Sequence, residues 1–438
     1  MAESIPQSPR YTAAAWLFVT VVAFVVLGEM SVRFPHWLTG LIAWSACALL
    51  WPRLTRTQTR IVLALLGVGT VGVVWGTATG KSGLNERALA QNIPLIGMLI
   101  AVSSLQLIST SRAAADQPPE TGRYALLRTL LGVHLFGAVI NFSAVAIFAD
   151  RLAQRSRLSL EHAMGLSQAF IIGALWSPFY GAMAVALTAA PGASLARLMA
   201  VGIPLTVVSL LLTWLTLSSR RFGYARGFVG YPVRFDALWV PAVLALGVLV
   251  VHELQPRWSV LAVIAGMAPL VTAVTLLVRE GNRALAALQR LVTVRLPEMG
   301  GEMSLFLAAG VLSAGMAGMI AALDLGVPFT RFGGTEASIL LVVITLLAWV
   351  GFHPVIMVSV VGPWLAPLDP DPNLLAMTFL MTWGIGLTGC PVSNTMLAMQ
   401  GRYQAPFAEL LRHNRVFSLK MALLSVVVVN LYANIAAR

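Results

Sequence analysis

Residues 373–400 read NLLAMTFLMTWGIGLTGCPVSNTMLAMQ. The stretch is apolar enough for a membrane, yet its middle holds Thr388-Gly389-Cys390-Pro391-Val392-Ser393-Asn394-Thr395. Proline donates no backbone N–H and clashes with the carbonyl one turn back. The glycine and hydroxyl neighbours ease local unwinding. The segment therefore predicts a helix that breaks near Pro391 and resumes beyond it. A second apolar stretch, 160–188, carries Trp176-Ser177-Pro178-Phe179-Tyr180-Gly181 and predicts the same interruption. Either break alone reads as an ordinary proline kink. Two breaks at matched positions point to function, because carbonyls freed inside a bilayer, beside Ser, Thr and Asn oxygens, suit a hard cation such as Na+. The candidate ion-binding positions are Ser177, Pro178, Gly181, Thr388, Gly389 and Pro391.

The rest of the chain sets the solvent. Its 438 residues are 58% hydrophobic and 11% charged, whereas soluble domains carry about 25% charged residues. Mean hydropathy is +0.83. Thirteen apolar segments recur, at about 14–31, 37–51, 61–77, 91–109, 126–149, 160–188, 197–218, 237–252, 258–278, 303–323, 337–365, 373–400 and 416–435. A spanning helix needs about 20 apolar residues, and most segments fit. The first run has no small-residue cleavage site and is read as a retained membrane helix.

Composition also excludes function classes. Cys47 and Cys390 both sit in apolar runs, which argues against a disulfide framework or a Cys/His metal site. The net charge of +12 comes without a basic stripe and interleaved aromatics, so nucleic acid is not an expected partner. Neither paired carboxylates nor a P-loop nor metal-ligand spacing occurs. An enzyme and a nucleotide-driven pump are both disfavoured.

Segments 126–149 and 337–365 are interrupted by Asn141-Phe142-Ser143 and Gly351-Phe352-His353-Pro354. Each could be a kinked span or a re-entrant hairpin, and charge decides. With both as hairpins and a cytoplasmic N-terminus, 22 of the 29 basic residues fall inside, as the positive-inside rule expects. The expected fold is all-α and integral to the membrane, with about eleven transmembrane helices and two re-entrant hairpins. Every charged residue then falls in a loop or near a helix end.

The pattern occurs twice. Asn141 corresponds to His353 at an offset of 212, and Ser177-Pro178 to Cys390-Pro391 at an offset of 213. Helix 91–109 matches 303–323, and 197–218 matches 416–435. The two copies run in opposite directions, a signature of secondary transporters. The expected division is an N-terminal transmembrane helix at 1–36, repeat 1 at 37–218 and repeat 2 at 219–435. Scaffold helices are placed at 37–77 and 237–278, an interfacial basic helix at 279–302, and transport elements at 91–218 and 303–435.

The tips and breaks supply the candidate substrate site. Helix N-termini attract anions, and short polar side chains can hold a carboxylate without a fixed charge. Asn141, Ser143, His353, Ser393, Asn394 and Thr395 are the candidate substrate-binding residues. Helix–helix hydrogen bonding is the competing role for each Ser, Thr and Asn. His353 could touch substrate or sense protons, or simply bond a backbone carbonyl. His134, His162, His252 and His413 are assigned no role.

Eleven helices, two hairpins, two proline-broken helices and the Ser393-Asn394-Thr395 triplet resemble the ion transporter superfamily, and within it the divalent anion:sodium symporters. Here the triplet lies in the broken helix, whereas in that family such motifs stand at the hairpin tips. The resemblance implies a homodimer in a bacterial cytoplasmic membrane, Na+ as the coupling ion beside a carboxylate substrate, no other cofactor, and elevator-type motion. On the residues alone, H+ coupling, a cation/proton antiporter and the membrane subunit of a multi-component permease remain open.

Overall fold

The computed structural model describes residues 8–30, 35–109, 120–153, 157–231, 239–324 and 326–436. Arg33, Arg112, Arg155, Arg234 and Arg438, which entered the charge count, lie outside the described residues. Among the described residues the chain is helical, with a lone antiparallel bridge between Thr121 and Val229.

In chain order the helices are α1 (Pro9–Glu29), α2 (His36–Leu50), α3 (Arg56–Ala78), α4 (Leu84–Ala90), α5 (Ile93–Val102) and α6 (Gln106–Ser109). Next come α7 (Arg123–Ile140), α8 (Phe142–Leu152), α9 (Leu160–Ile171), α10 (Gly181–Ala189), α11 (Leu195–Leu217), α12 (Trp239–Leu254) and α13 (Val260–Glu280). The last are α14 (Arg283–Arg290), α15 (Gly300–Leu323), α16 (Gly334–Val350), α17 (Pro354–Leu365), α18 (Pro372–Gly389), α19 (Asn394–Gly401) and α20 (Phe407–Ala436). Among the described residues, nine helical stretches are long and apolar enough to cross a membrane.

Exposure runs inside out, as lipid demands. On α3, Val62, Leu65, Gly69, Gly72 and Gly76 are buried, while Leu63, Val68, Val71, Val74 and Trp75 are exposed. On α20, Leu410, Asn414, Ser418 and Ser425 face inward and Val416, Leu419, Leu423 and Val427 face out. The polar residues are thus on the protein side of the helix, where Asn414 and Ser418 find hydrogen-bond partners.

The chain divides into two compact units. The first comprises Met1–Ile108, Ala242–Pro328 and Ser359–Pro367. Its tightest seam joins α3 to α15. A Cβ on Gly72 or Gly315 would collide with the facing backbone, so small residues let the two helices approach to backbone contact. Helix α13 packs on α5 and α1 packs on α2 and α5. Polar side chains lock the unit. Gln91 Nε2 donates to Ser313 Oγ (2.8 Å), and Asn92 Nδ2 to the Phe306 carbonyl (2.7 Å). Ser104 and Thr272 share a bond of 3.1 Å.

Segments 91–109 and 303–323 are expected among the transport elements. In the structure, α5 and α15 belong to the first unit, with the helices expected as scaffold. The physical reason is the glycine seam and the Gln91 and Asn92 bonds, which tie both segments to partners in that unit. The expected interfacial helix 279–302 is α14 followed by a π turn (Leu291–Arg295) and a 3-10 turn (Leu296–Met299), continuous with α15.

The second unit comprises Ser109–Pro241, Phe329–Val358 and Leu368–Arg438. Helix α8 lies back along α7, with Phe136 and Phe148 ring centroids 6.4 Å apart across the turn. Segment 126–149 is thus a helical hairpin turned at Asn141. The segment expected as the second hairpin is two helices turned at Gly351–His353. Helix α16 packs on α18 and α20, whereas the residues of α17 from Ser359 cluster with the first unit. Four buried residues hold the second unit's centre. Gln168 of α9 donates to Asn414 Oδ1 of α20 (2.9 Å), Asn414 Nδ2 donates to Ser167 (3.2 Å), and Thr213 of α11 donates to Gln168 Oε1 (3.0 Å).

Candidate functional site

Both expected interruptions are present, and both follow the local chemistry. After α9 the chain tightens into a 3-10 turn (Ile172–Leu175) and then leaves helical geometry until α10 starts at Gly181. Pro178 offers no N–H. The Ser177 hydroxyl takes up the next donor, the Phe179 N–H, at 3.2 Å. At the second break α18 ends at Gly389 and Cys390 is extended (φ −80, ψ 121), the conformation a following proline imposes. Ser393 then caps α19 by accepting the Met396 N–H at 3.3 Å.

Each break touches the turn of the interrupted segment in its own half. Asn141, between α7 and α8, has φ 52 and ψ −140, a conformation that non-glycine residues rarely hold. Its Nδ2 donates to the Phe179 carbonyl at 3.2 Å. Ser177 Oγ donates to the Ala138 carbonyl near the end of α7. Two freed carbonyls, one from the tip and one from the break, are therefore capped by two short polar side chains. Trp176 adds a third link. Its Nε1 donates to His134 Nε2 (3.0 Å), and His134 Nδ1 bonds the Ala169 carbonyl (2.9 Å). With Nε2 accepting, the proton sits on Nδ1 and the ring is neutral.

The second break is built from larger groups. Trp349, on the last turn of α16, lays its indole across Gly389, where any Cβ would strike it. The indole Nε1 donates to Ser418 Oγ (3.1 Å), and Ser418 donates to the Ile385 carbonyl (2.8 Å). Arg415 Nη2 donates to the Trp349 carbonyl (2.6 Å) and its Nε to the Gly389 carbonyl (3.4 Å). The guanidinium carbon lies 5.7 Å from the Trp349 ring centroid. His353 stands edge-on to Trp383, centroids 5.3 Å apart, and its Nδ1 accepts the Val355 N–H at 3.2 Å.

The candidate residues thus separate by surroundings. Asn141, Ser177 and Pro178 meet at the first turn and break. Gly389, Pro391 and Ser393 line the second, and Gly351 of the second turn lies 3.8 Å (as a Cβ would) from Val392. Thr388 is buried and bonds its own helix at Gly384 (2.7 Å). Thr395 is buried, Asn394 is exposed, and Ser143 and Gly181 are half-buried in the first turns of α8 and α10. Leu175 of the first break packs on Gly384 of α18, so the two interrupted helices touch within the unit.

Sequence reading missed Arg415, His134 and Trp349. Arg415 was counted among the cytoplasmic helix-end charges. It stands two turns inside α20 and reaches carbonyls at the ends of α16 and α18. The available signal was its interval from Gly202, the same interval that relates the two breaks. Gly202 lies against the Leu175 carbonyl at the first break, and Arg415 bonds the Gly389 carbonyl at the second. Where the chain leaves α19, Tyr403 donates to Asp150 Oδ1 (2.7 Å) and Arg402 pairs with Oδ2 (2.8 Å). Burial, and then the Asp150 carboxylate, raise the Tyr403 phenol above its ordinary range.

Nine membrane-length apolar stretches among the described residues and an inside-out distribution of polarity define the class: a multi-pass, all-helical membrane protein. The chain matches no protein-family model and no curated protein. Among solved structures it is similar to the Alcanivorax borkumensis YdaH transporter, whose crystal structure is described as having an unusual topology. The two are 15% identical over 97% of this chain and 99% of that one, with a TM-score of 0.40. That likeness transfers no residue role.

Proposed function

We propose that the protein is a secondary active transporter for a small anionic solute, with a carboxylate as the expected class, driven by a Na+ or H+ gradient. One observation carries the reading. Two broken helices, each docked on the turn of an interrupted segment from its own half of the sequence, touch within one compact unit. Broken helices inside a membrane are tolerated where their backbone lines a site, and their N-terminal ends favour anionic groups. The N-termini of α8 and α19, with Asn141, Ser143, Asn394 and Thr395, are the proposed solute contacts. His353 and Ser393 flank them, and Ser177, Pro178, Gly181, Thr388, Gly389 and Pro391 shape the breaks. The two halves act as inverted repeats, and the second unit moves against the first in an elevator-type cycle. A homodimer in a bacterial cytoplasmic membrane suits that cycle.

The test is uptake of radiolabelled mono- and dicarboxylates into proteoliposomes containing this chain alone. Imposed Na+ and pH gradients are compared. Gradient-driven accumulation that Asn141→Ala or Asn394→Ala abolishes, with both variants folded, supports the reading. Full uptake in both variants contradicts the site. Absence of uptake for every carboxylate under either gradient contradicts the function.

A further inference from the structure

The two breaks differ in one respect that bears on coupling. At the first, the carbonyls of Ala138 and Phe179 receive neutral donors, the Ser177 hydroxyl and the Asn141 amide. At the second, the carbonyls of Trp349 and Gly389 receive a guanidinium. Those two carbonyls sit at the C-terminal ends of α16 and α18, where two helix dipoles present partial negative charge at one point. Such convergence is a seat for a cation. We propose that Arg415 is a resident cation at the second break, taking the place that an alkali ion would fill, so that no alkali cation binds there in the native protein.

The proposal rests on the transporter reading only for its meaning, since cation occupancy can be measured without transport. Three features fit it. The guanidinium spans both helix ends at once, as a shared ion would. The Trp349 indole lies against it on one side, giving an aromatic face that favours a cation. Ser418, one turn further along α20, bridges Trp349 to the Ile385 carbonyl and holds the indole in place. By contrast Gly202, at the corresponding position of α11, leaves no space for a cation, because even a Cβ there would collide with Leu175.

The experiment uses purified full-length protein. Thermal unfolding of wild type, Arg415→Ala and Arg415→Gln is followed in choline, sodium and ethylguanidinium chlorides at equal ionic strength. Gln keeps hydrogen-bonding capacity without charge. Wild type is expected to unfold at the same temperature in choline and ethylguanidinium. Both variants are expected to gain at least about 2 °C in ethylguanidinium or sodium, saturably, because a ligand bound to the native state stabilises it by mass action. If Arg415→Ala is not monodisperse, the Gln variant decides. Folded variants that respond to the cations no more than wild type would overturn the proposal, and so would a Gln variant that matches wild type in every salt.

Discussion

Gly389 is the residue on which the second break turns. Its lack of a side chain lets the Trp349 indole cross the end of α18, and that indole is fixed by Ser418 at 3.1 Å. Gly389→Ala forces the ring to shift, at a cost of about 1–3 kcal/mol typical of overpacking. The expected result is a lower unfolding temperature in detergent, and an unchanged one would contradict the placement of Trp349. Asn141 permits a cleaner separation of roles. Its positive φ is one that glycine adopts without strain. Asn141→Gly should therefore keep the turn while deleting the amide that holds the Phe179 carbonyl. Uptake should fall at least tenfold with little change in thermal stability. A variant with wild-type uptake would show that the amide has no part in transport. The prolines, glycines and short polar residues that carry this reading are visible in sequence, because each acts on the backbone next to it. Arg415 and His134 were not. Their partners, Trp349, Gly389, Ala169 and Trp176, lie on other segments of the chain, and nothing local marks an arginine as bonded to distant carbonyls.

At the scale of elements, packing is held by small residues and by a few buried amides. The α3–α15 seam brings Gly69 and Gly72 against Gly315. Gly315→Leu should drive the helices apart and yield aggregated or unfolded protein by size exclusion. A monodisperse variant with wild-type stability would contradict the backbone contact. In the second unit, Asn414 joins α20 to α9 through Gln168 and Ser167. Hydrogen bonds between membrane helices average about 0.6 kcal/mol, with a maximum near 1.7. Asn414→Leu is therefore expected to lower stability by roughly that amount in an unfolding titration, while Gln168→Leu/Asn414→Leu costs less than the sum of the singles. The existence and type of nearly every element followed from hydropathy and breakers. Membership of α5 and α15 in the first unit did not, because sequence order placed them beside the interrupted segments. Their actual neighbours are chosen by glycines and by Gln91 and Asn92, whose partners are more than two hundred residues away.

For the molecule as a whole, the central claim is that the interrupted helices form a site reached alternately from the two sides of the membrane. Val392, in the second break, is 47% exposed and suits a reporter cysteine. In a background with Cys47 and Cys390 replaced by Ser, Val392→Cys can be reconstituted in liposomes and treated with a membrane-impermeant thiol reagent from one face at a time. Alternating access predicts labelling from each face in separate experiments, slowed from both by a transported solute. Labelling from one face alone, or from neither while the denatured protein labels fully, would contradict it.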